Sequence, residues 1–227
     1  MNNETAILIF ANSAKVEGLN KPFQHAAVLF QELNSEIEAK VKRTKLPYFV
    51  ISEAQQKGNT FGERFTNAIQ LILDKGFEKV ITVGNDTPHL QISHINTAYK
   101  KLKSNTLVLG PSLDGGFYLI GITKKLFYAN KFKNLPWQTS QLREGIVNLP
   151  SFKKAKVTFL QTLQDVDTVS DVKTIVDSFR SISTVLKYIL LQIITFAKTT
   201  TISKFQSFRP KVITIHYNKG SPDIFLA

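Results

Sequence analysis

The sequence predicts an α/β fold with a mostly parallel central sheet and helices on both faces. Three observations carry that expectation. Short continuous apolar runs read as buried strands, and the segments between them place apolar residues at helical spacing. The two patterns alternate regularly over the first 180 residues. Apolar residues make up 43% of the 227 and charged residues 20%. That is enough apolar material for one core and excludes a wholly disordered chain.

Ala6–Phe10 (AILIF) is a continuous apolar run, the pattern of a strand covered on both faces. From Pro22 to about Lys42, Ala26, Leu29, Phe30, Leu33 and Ile37 recur at helical spacing. Tyr48–Ile51 is the second strand. A helix over Phe61–Leu73 follows, with Thr60 and Glu63 spaced as a capping box. Lys79–Val83 is the third strand, and Ile92–Leu102 a helix after Pro88. Thr106–Leu109 and Phe117–Ile122 are strands joined through the turn signal Asp114-Gly115-Gly116. Thr139–Val147 reads as a helix and Val157–Leu160 as a strand. Thr168 and Asp171 mark a second capping box before a helix over Val172–Phe179. Beyond about Ser181 the alternation stops: an apolar helix-like piece, a Thr/Ser/Lys stretch, then Val212–Ile215 as a final strand. The chain divides accordingly into a domain over 1–180 and a basic, partly apolar extension over 181–227.

Lys and Arg total 29 against 17 Asp and Glu, a formal net charge of +12. Residues 181–227 hold +5 of it and the first 180 residues +7. No nucleic-acid-binding pattern accompanies the charge, so nucleic acid is not an expected partner. There is no cysteine, which excludes disulfides, thiolate metal sites and cysteine nucleophiles. The longest apolar stretch, Ile182–Phe196, is interrupted by Lys187 and Gln192 and falls short of the roughly 20 residues of a membrane span. No signal-peptide pattern opens the chain. The expectation is a cytoplasmic protein. Ile182, Val185, Leu186, Ile189, Leu190 and Ile193 share a helical face, which suits packing on the domain better than a membrane-surface or dimer contact.

Open parallel sheets bind ligands at the carboxyl ends of their strands, which directs attention to three loops. Gly84-Asn85-Asp86-Thr87-Pro88 leaves the third strand; Asp86 there can hold Mg²⁺ or Mn²⁺ against phosphate, although Asn-Asp before Pro also makes a plain turn. In Asp165-Val166-Asp167, alternation sends both carboxylates one way, so they can complete a metal site or simply precede a helix start. After the first strand, Asn12 to Lys21 reads as a loop in which Gly18, Lys15 and Lys21 can cradle phosphates; it is neither a Walker loop nor G-x-G-x-x-G. Asp114, Gly115 and Gly116 offer a close backbone approach to a ligand, Arg64 can face a phosphate, and Trp137 can stack or pack.

Five segments in this order resemble a known family: GNTFGERFTNA (58–68), VGNDTPHL (83–90), LGPSLDGGFYLIGI (109–122), LPWQTS (135–140) and DVDTVSDV (165–172). The chain is similar to the bacterial nucleotide-diphospho-sugar transferase-like family. These are relatives of GT-A glycosyltransferases and of the nucleotidyltransferases of molybdenum and deazaflavin cofactor synthesis. The resemblance implies a Rossmann-like GT-A fold and a metal-dependent glycosyltransferase-like activity on a nucleotide-diphosphate-linked donor, with an unknown acceptor. It implies that Asp86 and Asp167 hold Mg²⁺ or Mn²⁺, that Asp86 and Asp114 are catalytic, and that Gly18, Lys21, Arg64, Gly115 and Gly116 bind nucleotide or phosphate. Two departures stand out. The first loop lacks the leading Lys, the Pro and the Arg of the family's K-x-P-x-x-G-x-x-K-T-R-L run, and Asn85 replaces a small hydroxyl residue. The first motivates one alternative, nucleotide or partner binding without turnover; nucleotidyl transfer at the same site is a second, because both transfers use the same metal–diphosphate geometry.

Overall fold

The computed structural model describes residues 4–103, 106–149 and 155–207, with side chains described through residue 199. Six strands form one sheet: β1 (Thr5–Phe10), β2 (Tyr48–Ile51), β3 (Lys79–Val83), β4 (Thr106–Pro111), β5 (Phe117–Thr123) and β6 (Lys156–Phe159). Their order is β2-β1-β3-β5-β4-β6. β1 runs parallel to β2 and β3, and β4 parallel to β6. Only β5 is reversed, pairing antiparallel with both β3 and β4. The mostly parallel α/β sheet expected from the sequence is therefore present, with one antiparallel strand produced by the β4–β5 hairpin.

Eight α-helices are described: α1 (Ala14–Asn20), α2 (Ala26–Lys42), α3 (Phe61–Asp74), α4 (Ile92–Lys101), α5 (Ala129–Lys133), α6 (Leu142–Val147), α7 (Val169–Asp177) and α8 (Thr184–Ser207). Strand alternation divides the core. Ala6, Leu8 and Val80 face a cluster built with Phe65, Ile69 and Ile72 of α3. Ile7, Ile9 and Ile81 face the opposite cluster, with Ile37 and Val41 of α2 and Ile95 of α4. α2 also carries a second apolar side: Leu29, Phe30 and Leu33 meet Val172 and Ile175 of α7 and Leu186, Leu190 and Ile193 of α8. A third layer thus lies outside α2.

Local signals set several boundaries. Thr60–Glu63 and Thr168–Asp171 both close reciprocal capping boxes, as their spacing predicts. Several boundaries differ from expectation, among them α7, which runs from Val169 to Asp177 rather than over Val172–Phe179. The expected loop over 12–21 contains α1, capped by the Ser13 hydroxyl on Val16 N–H. α2 starts at Ala26 rather than Pro22, behind a turn in which His25 adopts φ +63°. The helix expected over 139–147 begins at Leu142, and the short α5 was not anticipated. α8 continues through the Thr/Ser/Lys stretch to Ser207. The expected strand at 212–215 lies outside the described residues. Among the described residues no helix is long and apolar enough to cross a membrane. The α8 residues Leu186, Ile189, Leu190 and Ile193 are buried on α2 and α7, whereas Val185, grouped with them by spacing, points outward.

Candidate functional site

The chain leaves β1 for β2 towards one edge of the sheet and leaves β3 for β4 towards the other, and a crevice opens at the carboxyl ends of these neighbours. Asn12 follows β1 and Asn85 follows β3, and here they meet. The Asn85 amide donates to Asn34 Oδ1 at 2.8 Å and to the Asn12 carbonyl at 3.3 Å. Asn85, a departure from the family pattern, is thus a buried clamp between two strand ends and α2. A cavity of about 580 Å³ opens beside it.

Of the sequence-predicted site residues, Lys21, Arg64, Asp86, Asp114, Gly116 and Asp167 line this cavity. Gly18 and Gly115 do not. Gly18 sits within α1, and a Cβ there would meet the Ala27 Cβ at 2.7 Å, so its smallness serves helix packing rather than a phosphate cradle. Gly115 shapes the hairpin turn with φ +95°. The start of α1 is also taken. Glu53 accepts from the Ser13 N–H at 2.6 Å and from its hydroxyl at 2.7 Å, and these bonds hold the Glu53 carboxyl below its ordinary range. The chain's own carboxylate therefore occupies the Ser13 donors at the start of α1.

The acids have distinct surroundings. Val166 N–H donates to the Asp86 carbonyl at 2.8 Å, tying the 165–167 segment to the β3 loop. Asp165 is buried, and Thr87 Oγ1 donates to its Oδ1 at 2.6 Å. Burial first, then the charge of Asp86, push the Asp165 carboxyl up to about 8, against hydrogen bonds from Thr87 and Ser112. Burial likewise pushes Asp86 up, opposed by Lys21 and reinforced by Asp167. Asp167 is half-exposed, and Lys21 Nζ donates to its Oδ1 at 2.6 Å. Asp114 is exposed at the mouth and accepts from Gly116 N–H at 2.8 Å, closing its own turn.

By sequence Asp165 and Asp167 leave the chain on one side, and the family resemblance makes Asp167 the metal position. The structure places Asp165 in the interior with Asp86 and gives Asp167 a lysine partner. Among the described residues no three His, Cys, Asp or Glu side chains form a ready metal cage. Glu17, held by the Asn12 amide at 2.8 Å, is a further acid of the wall with no sequence signal.

The remaining wall is aromatic. Phe10, Phe61, Phe65 and Trp137 pack with ring centroids 5.1–5.9 Å apart, and the indole N–H donates to the Phe132 carbonyl at 2.9 Å. Trp137 is therefore part of the packed wall, with its polar atom already satisfied. Arg64 stands at this end and donates to the Asn59 carbonyl at 3.3 Å.

Residues 24–139, half of the chain, match the model of a family described as an uncharacterised protein conserved in bacteria, DUF2064. The chain belongs to that family. No curated protein matches it. Among solved structures it is similar to a protein of Desulfovibrio desulfuricans G20 assigned as a nucleotide-diphospho-sugar transferase. The TM-score is 0.72 at 22% identity, over 87% of this chain and 98% of that one. A Leptospira borgpetersenii cytidylyltransferase aligns at TM-score 0.41 and 13% identity, over 88% and 95% of the two chains. A glycosyltransferase acting in glycosylation of the PBCV-1 major capsid aligns at 0.44 and 10%, over 69% and 82%. The fold assignment rests on the first: this family member has the nucleotide-diphospho-sugar transferase fold.

Proposed function

We propose that the protein is a glycosyltransferase-like transferase that takes a nucleotide-diphosphate-linked donor in the crevice between β1 and β3. One observation carries the reading: Asp86 and Asp165 stand together at the strand ends, both with proton affinity raised by burial, on the wall of a cavity of about 580 Å³. That volume falls within the range of small-molecule sites. Two carboxyls that resist ionising side by side suit a divalent cation, whose charge relieves both desolvation and mutual repulsion.

The residues present fit Mg²⁺ or Mn²⁺ held jointly with a ligand. Mg²⁺ characteristically takes one or two carboxylates and completes its shell with water and substrate phosphates. Asp86 and Asp165 are the two, with Asp167 within the same cluster. Bound there, the cation supplies positive charge against the donor diphosphate. The chain supplies the rest. Lys21 brings a second positive charge to the diphosphate end, and the Asn85–Asn34–Asn12 clamp holds the β1 and β3 loops in register. Aromatic rings exclude water from the far wall. Arg64 offers donors to the remainder of the donor or to the acceptor, Gly116 lets the backbone approach closely, and Asp114 stands at the mouth as the acceptor-side base.

Thermal shift against nucleoside diphosphates and nucleotide sugars, with and without Mg²⁺ or Mn²⁺, tests this. A ligand at a hundredfold excess over its dissociation constant stabilises the folded state by about 2.7 kcal/mol. A metal-dependent shift with one nucleotide class, lost in Asp86→Asn, is the expected result. Turnover of a nucleotide sugar then separates the two chemistries: breaking the bond to the sugar releases nucleoside diphosphate (glycosyl transfer), whereas attack on the α-phosphorus releases sugar 1-phosphate and leaves the nucleotidyl group on the acceptor (nucleotidyl transfer). No shift with any nucleotide overturns the reading. The Glu53 carboxylate at the start of α1 favours a second one, in which nucleotide binds without turnover; a shift with neither product identifies it.

A further inference from the structure

Lys21 is the cation that the acidic end of the cavity already contains. Its ammonium lies 2.6 Å from Asp167 Oδ1 and 3.9 Å from Glu17 Oε2. It stands over the Phe30 ring, 5.2 Å from the centroid. The side chain is only 14% exposed, so its charge is largely removed from water and depends on these carboxylates. The anchor is firm at the backbone as well: Lys21 caps α1, its N–H bonded to the Glu17 carbonyl at 2.9 Å. Among the described residues lining the cavity, five acids (Glu17, Asp86, Asp114, Asp165, Asp167) face two cations, Lys21 and Arg64. Arg64 bonds a backbone carbonyl at the aromatic end, which leaves Lys21 to balance the acids.

A divalent cation entering the same cluster meets an ammonium already bonded to one of its carboxylates. Two cations sharing one carboxylate repel, and the repulsion is poorly screened in a partly buried site. An anionic diphosphate changes the balance, because it offers the ammonium another partner.

We propose that Lys21 is a resident counter-cation. It holds Asp167 in the ligand-free protein, competes with the divalent cation for the acid cluster, and exchanges Asp167 for the donor diphosphate when metal and donor enter together. This rests on the donor-site reading above. The consequence is a metal site that is weak alone and strong with a diphosphate ligand. By thermodynamic reciprocity the metal strengthens diphosphate binding by the same factor.

The test is Mn²⁺ binding to the full chain, read from the electron paramagnetic resonance signal of free Mn²⁺, with Mn²⁺ alone as the probe. Wild type is compared with Lys21→Met, which keeps the length of the stem over Phe30, and with Lys21→Arg, which keeps the charge. Lys21→Gln substitutes for Lys21→Met if that variant does not fold, as judged by circular dichroism. Removal of the charge is expected to tighten Mn²⁺ at least tenfold, while Lys21→Arg stays within about threefold of wild type. If Mn²⁺ binds wild type and the uncharged variant equally, or the variant more weakly, the counter-cation role is overturned and the donor-site reading stands. If neither protein binds Mn²⁺ at millimolar concentration, the metal reading falls and this proposal with it.

Discussion

Replacing Asp165 by Asn should stabilise the metal-free protein at neutral and alkaline pH. Asp165 is 6% exposed, and its carboxyl is carried from an ordinary 3.8 to about 8 by burial and by the charge of Asp86. In the unfolded chain the same group ionises near 3.8. Between those values the unfolded state holds fewer protons, so stability falls as pH rises through the window and the loss is complete above pH 8. At about 1.4 kcal/mol per pKa unit, the full penalty is about 5–6 kcal/mol. Asparagine keeps the shape and cannot ionise, so it should remove most of that penalty. For a protein of this size 1 kcal/mol moves Tm by about 2–4 °C, so a gain of roughly 10 °C or more at pH 8.5 is expected. At pH 4 the two proteins should melt within a few degrees of each other. The assay is a pH series of thermal melts in chelator, read as the difference between variant and wild type, which cancels every other titrating group. With saturating Mn²⁺ the order should reverse, because only wild type keeps both carboxylates. A Tm difference that is flat from pH 4 to 8.5 would refute the claim that this carboxyl is held protonated.

His89 works in the opposite direction: burial first, then Arg180 and Lys40, lower its imidazole to about 4, and its Nδ1 is buried without a partner. Unfolded chains take up the proton first on acidification, so wild type should lose stability as pH falls from 6.5 to 4, and His89→Leu should flatten that limb of the melting series. In Gly62→Ala, the new methyl would meet Trp137 Cδ1 at 2.5 Å and crowd the Lys133 carbonyl. A loss of about 1–3 kcal/mol in urea unfolding is expected, together with a change in Trp137 fluorescence, since this is the only tryptophan. Thr60→Ala opens the capping box at the start of α3 and should cost about 1 kcal/mol by the same measurement.

What could be read from the chain alone was whatever local periodicity determines. The sequence pattern marked all six strands to within two residues at either end; for the central strands the reason is that a strand covered on both faces needs continuous apolar side chains, while the edge strands β2 and β6 are only partly covered. Thr60–Glu63 and Thr168–Asp171 announced two helix starts, because a capping box is closed within four residues. The five spaced motifs pointed to the fold and to the family. α1 escaped notice for the converse reason. It is a seven-residue helix that carries its own Gly18, started by Ser13 but held in place by Glu53 from another loop and by packing on α2.

The site was legible as a neighbourhood and not as an arrangement of charge. Strand ends named Asp86 and the 165–167 segment, since ligands gather where parallel strands finish. Alternation across Val166 could say that Asp165 and Asp167 leave the chain on one side. It could not say that one would be buried beside Asp86 and the other would meet Lys21, 146 residues earlier in the chain. Proton affinity and ion pairing follow from distance and burial in space, and only the folded tertiary structure brings those groups within reach.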